Sequence, residues 1–177
     1  MPTPSRRRLG GFVAVAILIV GVIVVGLVAA SRQEAAPVAL SDGPPVPALS
    51  GTDPVSGETV SVADFAGRPL VINMWASWCT GCIAEAPDIR RFTADNPDVA
   101  FLGIAVTDTD DGSRRFVERY DWTHPSISDP RGELGSRLNL RGLPTTVFVR
   151  ADGTIAGEAL GEVTYEQLVE ATAALRS

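Results

Sequence analysis

Apolar and polar positions along this chain change rhythm several times, and the first change is the sharpest. Leu9 to Ala30 run for 22 positions without a charged residue, a helix of about 33 Å at ~1.5 Å per residue, which matches the hydrocarbon core of a bilayer. Residues 31–44 then mix Pro, Ala and polar side chains with no apolar period, as a linker does. From residue 45 to 177, short apolar runs alternate with helical stretches. Residues 70–75 (LVINMW) and 101–106 (FLGIAV) are continuous apolar runs, expected of strands covered on both faces. Helices are predicted over 79–95, about 111–120, 132–138 and 164–175, the last opened by a Thr cap. A strand is expected near 126–128, and 145–149 and 154–156 flank Asp152-Gly153, a strong hairpin signal. The order βαβαβαββα predicts an α/β domain, a mixed central sheet with helices on both faces.

Charge orients this plan. Arg6, Arg7 and Arg8 precede the apolar run and only Arg32 follows closely, so the positive-inside rule leaves residues 1–8 as a cytoplasmic tail and puts everything after the span outside. The expectation is a single-pass signal anchor over 9–30, with the folded domain on the extracytoplasmic side of the cell membrane. A cleaved secretory signal, with Val28-Ala29-Ala30 as its processing site, gives the same side, although the run is longer than the usual signal core. All fifteen basic residues are Arg; without the N-terminal three, twelve face 21 Asp and Glu. That balance argues against nucleic acid as a partner. The run Asp108 to Asp111 lacks the spacing and glycine of a calcium loop and reads as a solvated lead-in to a helix.

The chain holds two cysteines, both inside Trp75 to Pro87 (WASWCTGCIAEAP). A structural zinc site wants four ligands, and beyond the two cysteines the chain offers one histidine, His124, read as structural or exposed. Covalent haem attachment needs His after the second cysteine, where Ile83 stands. A purely structural disulfide across so short a loop contributes about 2 kcal/mol on the chain-entropy model. A redox pair fits better: residues i and i+3 of a helical turn bring Cα atoms about 5 Å apart, within disulfide reach. Cys79, at the helix start, faces unpaired N–H groups that favour its thiolate, and Cys82, one turn in, is placed to resolve a mixed disulfide.

Trp78-Cys79-Thr80-Gly81-Cys82 after an apolar strand resembles the WCxxC motif of the thioredoxin superfamily. The longer string from Asn73 through Glu85 and Pro87, with Arg141-Gly142-Leu143-Pro144-Thr145 downstream, resembles its TlpA/ResA/DsbE-like thiol–disulfide oxidoreductases. The resemblance implies a thioredoxin fold over about 45–175, with an extra αβ insertion before the cis-proline loop. It implies that Pro144 is cis and exposes the Leu143 backbone to a substrate strand, with Trp78 part of the docking surface. It implies that Glu85 accepts the proton of Cys82, while Asn73 stands where thioredoxins proper keep a buried Asp. Trp75 then packs the site, and Pro87 kinks the active-site helix by withholding a hydrogen bond from Ile83. Thr80-Gly81 departs from the Gly-Pro of thioredoxins, so no potential carries over.

No nucleotide or flavin fingerprint is present, so the expected cofactor is none beyond the Cys79–Cys82 disulfide, and no metal is expected. The family's partners are protein clients with thiols or disulfides, typically apocytochromes c during cytochrome c maturation, and a membrane thiol transporter of the CcdA/DsbD type that supplies electrons. The favoured direction is reduction. An oxidase running the same steps backwards, and a copper-delivery factor for a respiratory oxidase holding Cu(I) on two thiolates, stay open as alternatives.

Overall fold

The computed structural model describes residues 36–176. The charged tail 1–8, the apolar run 9–30 expected to span a membrane and linker residues 31–35 lie outside the described residues, as does Ser177. Among the described residues no helix is long and apolar enough to cross a membrane.

The elements follow in the order β1 (Ser50–Thr52), β2 (Thr59–Ser61), a 3-10 turn (Val62–Phe65), β3 (Leu70–Trp75), α1 (Thr80–Asp95) and β4 (Ala100–Val106). Then come α2 (Asp110–Tyr120), β5 (Ser126–Asp129), α3 (Glu133–Arg137), β6 (Thr145–Val149), β7 (Ile155–Leu160) and α4 (Tyr165–Leu175). Five strands form one mixed sheet in the order β5-β4-β3-β6-β7, with β3, β4 and β5 parallel and β6 and β7 antiparallel to their neighbours. This is the thioredoxin-like α/β arrangement, with α2 and β5 inserted between the βαβ half and the closing ββα half.

Side chains alternate across a strand, so β3 sends Val71 and Trp75 to one face and Leu70, Ile72 and Met74 to the other. That is why β3 and β4 read as unbroken apolar runs: both faces are buried along their whole length. The first face is covered by α1 through Ile89 and Phe92, by α2 through Phe116 and by α4 through Leu168. The expected symmetry of helices on both faces is only partial. On the second face the short α3 is joined by the β1–β2 hairpin and the 3-10 turn, which bring Leu49, Val60 and Phe65 over Ile72, Leu102 and Ile127. Asp53 fixes this hairpin to the sheet: one carboxylate oxygen accepts the N–H groups of Val55 and Ser56, and the other accepts that of Ser126 on β5.

The linker expected over 31–44 is, from residue 36 on, laid along the free edge of β7. Ser41 N–H donates to Ala156 O (2.6 Å), Pro44 O accepts from Ile155 (2.9 Å), and Val46 N–H donates to Gly153 O (2.8 Å). Val38 and Leu40 pack onto the first-face core, and Gln167 Nε2 donates to Ala36 O at 2.8 Å. Gly43 and Gly157 let the two backbones close up, since a Cβ at either would strike a carbonyl of the other strand. Prolines suit such an edge because they have no N–H to lose, and the covered edge is closed to pairing with other chains.

Candidate active site

β3 delivers the chain to the centre of the sheet and ends at Trp75, whose ring is stacked on Phe116 (centroids 4.6 Å apart) and edge-on to Trp122 (5.2 Å). The turn that follows is clamped from the segment between β4 and α2. Asp108, buried rather than solvated, accepts the Ser77 N–H at 2.7 Å and the Ser77 hydroxyl at 2.9 Å. Trp78, by contrast with Trp75, is 59% exposed, its Nε1–H donating to Thr107 O at 3.3 Å.

Cys79 is the N-cap of α1, and its Sγ accepts the Cys82 N–H at 3.2 Å. The two cysteines are joined as a disulfide with Cα atoms 5.3 Å apart. Their surroundings differ. Cys79 keeps 6% of its surface exposed and lines an open groove of about 750 Å³ together with Trp78, Thr107, Arg131, Arg141 and Leu143, whereas Cys82 has no exposed surface. The helix runs on through Pro87 to Asp95, so this proline is internal and leaves Ile83 O without its usual helical donor.

The Leu143–Pro144 peptide bond is cis. Its loop is held by Gly161 N–H donating to Pro144 O (2.9 Å) and the Thr145 hydroxyl donating to Gly142 O (2.7 Å). Leu143 is half-buried and borders the groove beside Cys79.

Glu85, on the first turns of the same helix, is buried with both carboxylate oxygens engaged. Oε1 accepts from Asn73 Nδ2 at 2.9 Å, and Oε2 accepts from Val163 N–H at 2.9 Å. Asn73 Nδ2 also donates to Thr146 Oγ1 (3.1 Å), while Asn73 Oδ1 is buried without a partner. Burial pushes the Glu85 pKa up to about 7; the Val163 and Asn73 hydrogen bonds oppose that rise, and the like charges of Glu162 and Asp88 add to it. A carboxyl group at that value exchanges a proton readily near neutrality. Asn73 suits both of its states. Its amide donates to the carboxylate as seen here, and its unpartnered Oδ1 is available to accept from the protonated acid if the amide turns over.

His124 is not exposed. It is half-buried, its ring packed between Phe101 and Trp122 with centroids 4.5 and 4.6 Å away and both ring nitrogens out of water, and that desolvation drives its pKa down to about 3. Thr146, Val163 and Asp108 are the members of the site that sequence reasoning missed. The linear signal is the second of two threonines that open the apolar strand β6; the other two contacts are backbone or cross-loop.

The Redoxin family model matches residues 41–175 of this chain. The soluble secreted antigen MPT53 of Mycobacterium tuberculosis is 34% identical over 152 residues, which covers 86% of this chain and 82% of its own. The thiol-disulfide oxidoreductase ResA of Bacillus thuringiensis subsp. konkukian is 30% identical over 118 residues, 66% of this chain and 68% of its own. Among solved structures, a secreted Mycobacterium tuberculosis disulfide oxidoreductase homologous to E. coli DsbE aligns with a TM-score of 0.66 at 32% identity, over 71% of this chain and 95% of that one.

Proposed function

Because the chain belongs to the Redoxin family, as a thioredoxin-fold thiol–disulfide oxidoreductase of the ResA/DsbE type, we propose that it reduces disulfides of protein clients outside the cytoplasm. The observation that carries this reading is the asymmetry of the pair: Cys79 borders an open groove, and Cys82 is buried on the helix that also bears Glu85. In the reduced protein the Cys79 thiolate attacks a client disulfide, forming one S–S bond and releasing the first client thiolate. Cys82 passes its proton to the Glu85 carboxylate and attacks Cys79 Sγ. The mixed disulfide breaks, the second client thiolate leaves and takes a proton, and two electrons have moved to the client. The protein is left as the Cys79–Cys82 disulfide. No bound cofactor takes part.

Leu143 and the cis-Pro144 loop offer backbone to an extended client segment beside the sulfurs, with Trp78 at its margin. Apocytochromes c, whose paired thiols must be free to take haem, are the proposed clients. A membrane thiol transporter of the CcdA/DsbD type is the proposed electron source. The apolar run 9–30 is proposed as the anchor that keeps the domain at the outer surface of the cell membrane.

Acid-trapping and alkylating the thiols in living cells tests the direction. A pair found mostly reduced at steady state, and mostly oxidised when the electron supply is deleted, is the expected result. A pair mostly oxidised in both cases overturns reduction in favour of an oxidase that introduces disulfides into secreted proteins.

A further inference from the structure

Gly81, the residue before Cys82, is crowded from outside its helix. A Cβ there would lie 2.9 Å from Cδ of Pro144 and 3.2 Å from both Cγ and Oε1 of Glu162. The backbone at Gly81 is ordinary helix, so what glycine provides here is room. Glu162 belongs to the loop between β7 and α4, and that loop is fixed on both sides of it. Gly161 N–H donates to Pro144 O, and Val163 N–H donates to Glu85 Oε2. The backbone on either side of Glu162 is therefore fixed, and its exposed side chain lies over Gly81 in the first turn of α1, where Pro144 also approaches.

The charges around the sulfurs are unequal in a useful way. On the groove side, Arg131 pairs with Glu133 and Arg141 with Glu158. Behind the pair, Glu85 is hydrogen-bonded and Asp88 accepts the Tyr165 N–H. Glu162 has no ion-pair partner among the described residues. Its carboxylate lies beside the helix end whose N–H groups would otherwise favour a thiolate at Cys79.

We propose that Glu162 is a positioning residue that sets the redox poise of the pair: its carboxylate, admitted by Gly81, disfavours the Cys79 thiolate and makes the dithiol a stronger electron donor. The inference rests on the thiol–disulfide exchange proposed above. In that exchange the dithiol gives up two electrons and two protons to a client disulfide and becomes the neutral Cys79–Cys82 disulfide. A neighbouring negative charge raises the free energy of the thiolate and leaves that of the disulfide unchanged, so the equilibrium moves toward reduced client.

Replacing Glu162 by Gln in the full chain tests this without touching a sulfur or a buried group. The readouts are the equilibrium with reduced and oxidised glutathione somewhat above neutrality, and the ultraviolet titration of the Cys79 thiolate. For an exposed charge beside the first turn of the helix, the expected shift is about threefold toward the dithiol, or about 15 mV for a two-electron couple, with a lower thiolate pKa. The shift should shrink as salt is raised, because salt screens a charge effect and leaves a purely steric one alone. A Glu162→Gln protein with the parent's equilibrium and titration, or a shift indifferent to salt, overturns the proposal while exchange by the parent leaves the functional reading standing. A parent that fails to exchange with glutathione at all overturns that reading, and this inference with it.

Discussion

The two sulfurs of one disulfide live in different media. Around Cys79 there is an open groove with an exposed indole, two arginines and a presented backbone; around Cys82 there is a closed interior in which the Asn73 amide donates to both Glu85 and Thr146. The difference teaches how one pair of like atoms divides its work. Water and a client reach only the first sulfur, so attack begins there. The second has no exposed surface and shares its closed interior with a carboxyl group that burial holds near neutrality and makes a useful base.

The largest effects follow from removing either sulfur, and they should differ in kind. Cys79→Ala should abolish insulin reduction and client exchange. Cys82→Ala should still attack, and should accumulate mixed disulfides visible on non-reducing gels. Either change loses the disulfide's contribution of about 2 kcal/mol, that of so short a loop, and because both sulfurs belong to the first apolar layer, truncating the fully buried Cys82 adds the cost of a small cavity. Failure of Cys82→Ala to capture any partner amid a surplus of clients would reverse the assigned roles.

The buried side is sharpened next by Glu85→Gln. With its folded pKa at about 7 against an ordinary 4.5, the parent's native state binds more protons than its unfolded state between those values. The associated stability is full below about pH 4.5 and is lost as pH rises through about 7, on the order of 3 kcal/mol. Glu85→Gln should flatten that decline in urea titrations of the oxidised protein, whatever it does to the absolute stability. Near neutrality it should slow the resolving step about a hundredfold, the usual worth of a positioned base. A decline that persists unchanged in the variant would assign it to another group.

How much of this was readable in one dimension follows the same division. β3 and β4 were legible because burial on both faces leaves unbroken apolar text, and α1 because its apolar positions continue at Ile89 and Phe92 beyond Pro87. β1 and β2 are three residues each, too short to show alternation. β7 was read only at its start because Gly157 and Glu158 interrupt it. Residues 36–44 read as linker because they are held largely through their backbone, which leaves no side-chain period. In the site, Cys79, Cys82, Glu85 and Asn73 lie within one motif and were found together. Thr146 and Val163 meet that motif across 73 and 78 positions, and no local pattern announces a contact closed by the fold itself.

The smallest effect belongs to the open side, and it separates two tryptophans three residues apart. Trp75 is fully buried in an aromatic cluster, so Trp75→Ala should cost about 3–5 kcal/mol, as emptying a core does. Trp78 is mostly exposed, so Trp78→Ala should leave stability within about 0.5 kcal/mol. Its cost should fall on docking: KM for a protein client rises several-fold while exchange with glutathione, too small to span the groove, is unchanged. The indole also holds the turn before Cys79 to Thr107 O, and that contact supplies the competing account. If exchange with glutathione falls as far as exchange with the protein client, Trp78 acts by positioning the start of α1, and the docking surface must be sought along Leu143 and the arginine side of the groove.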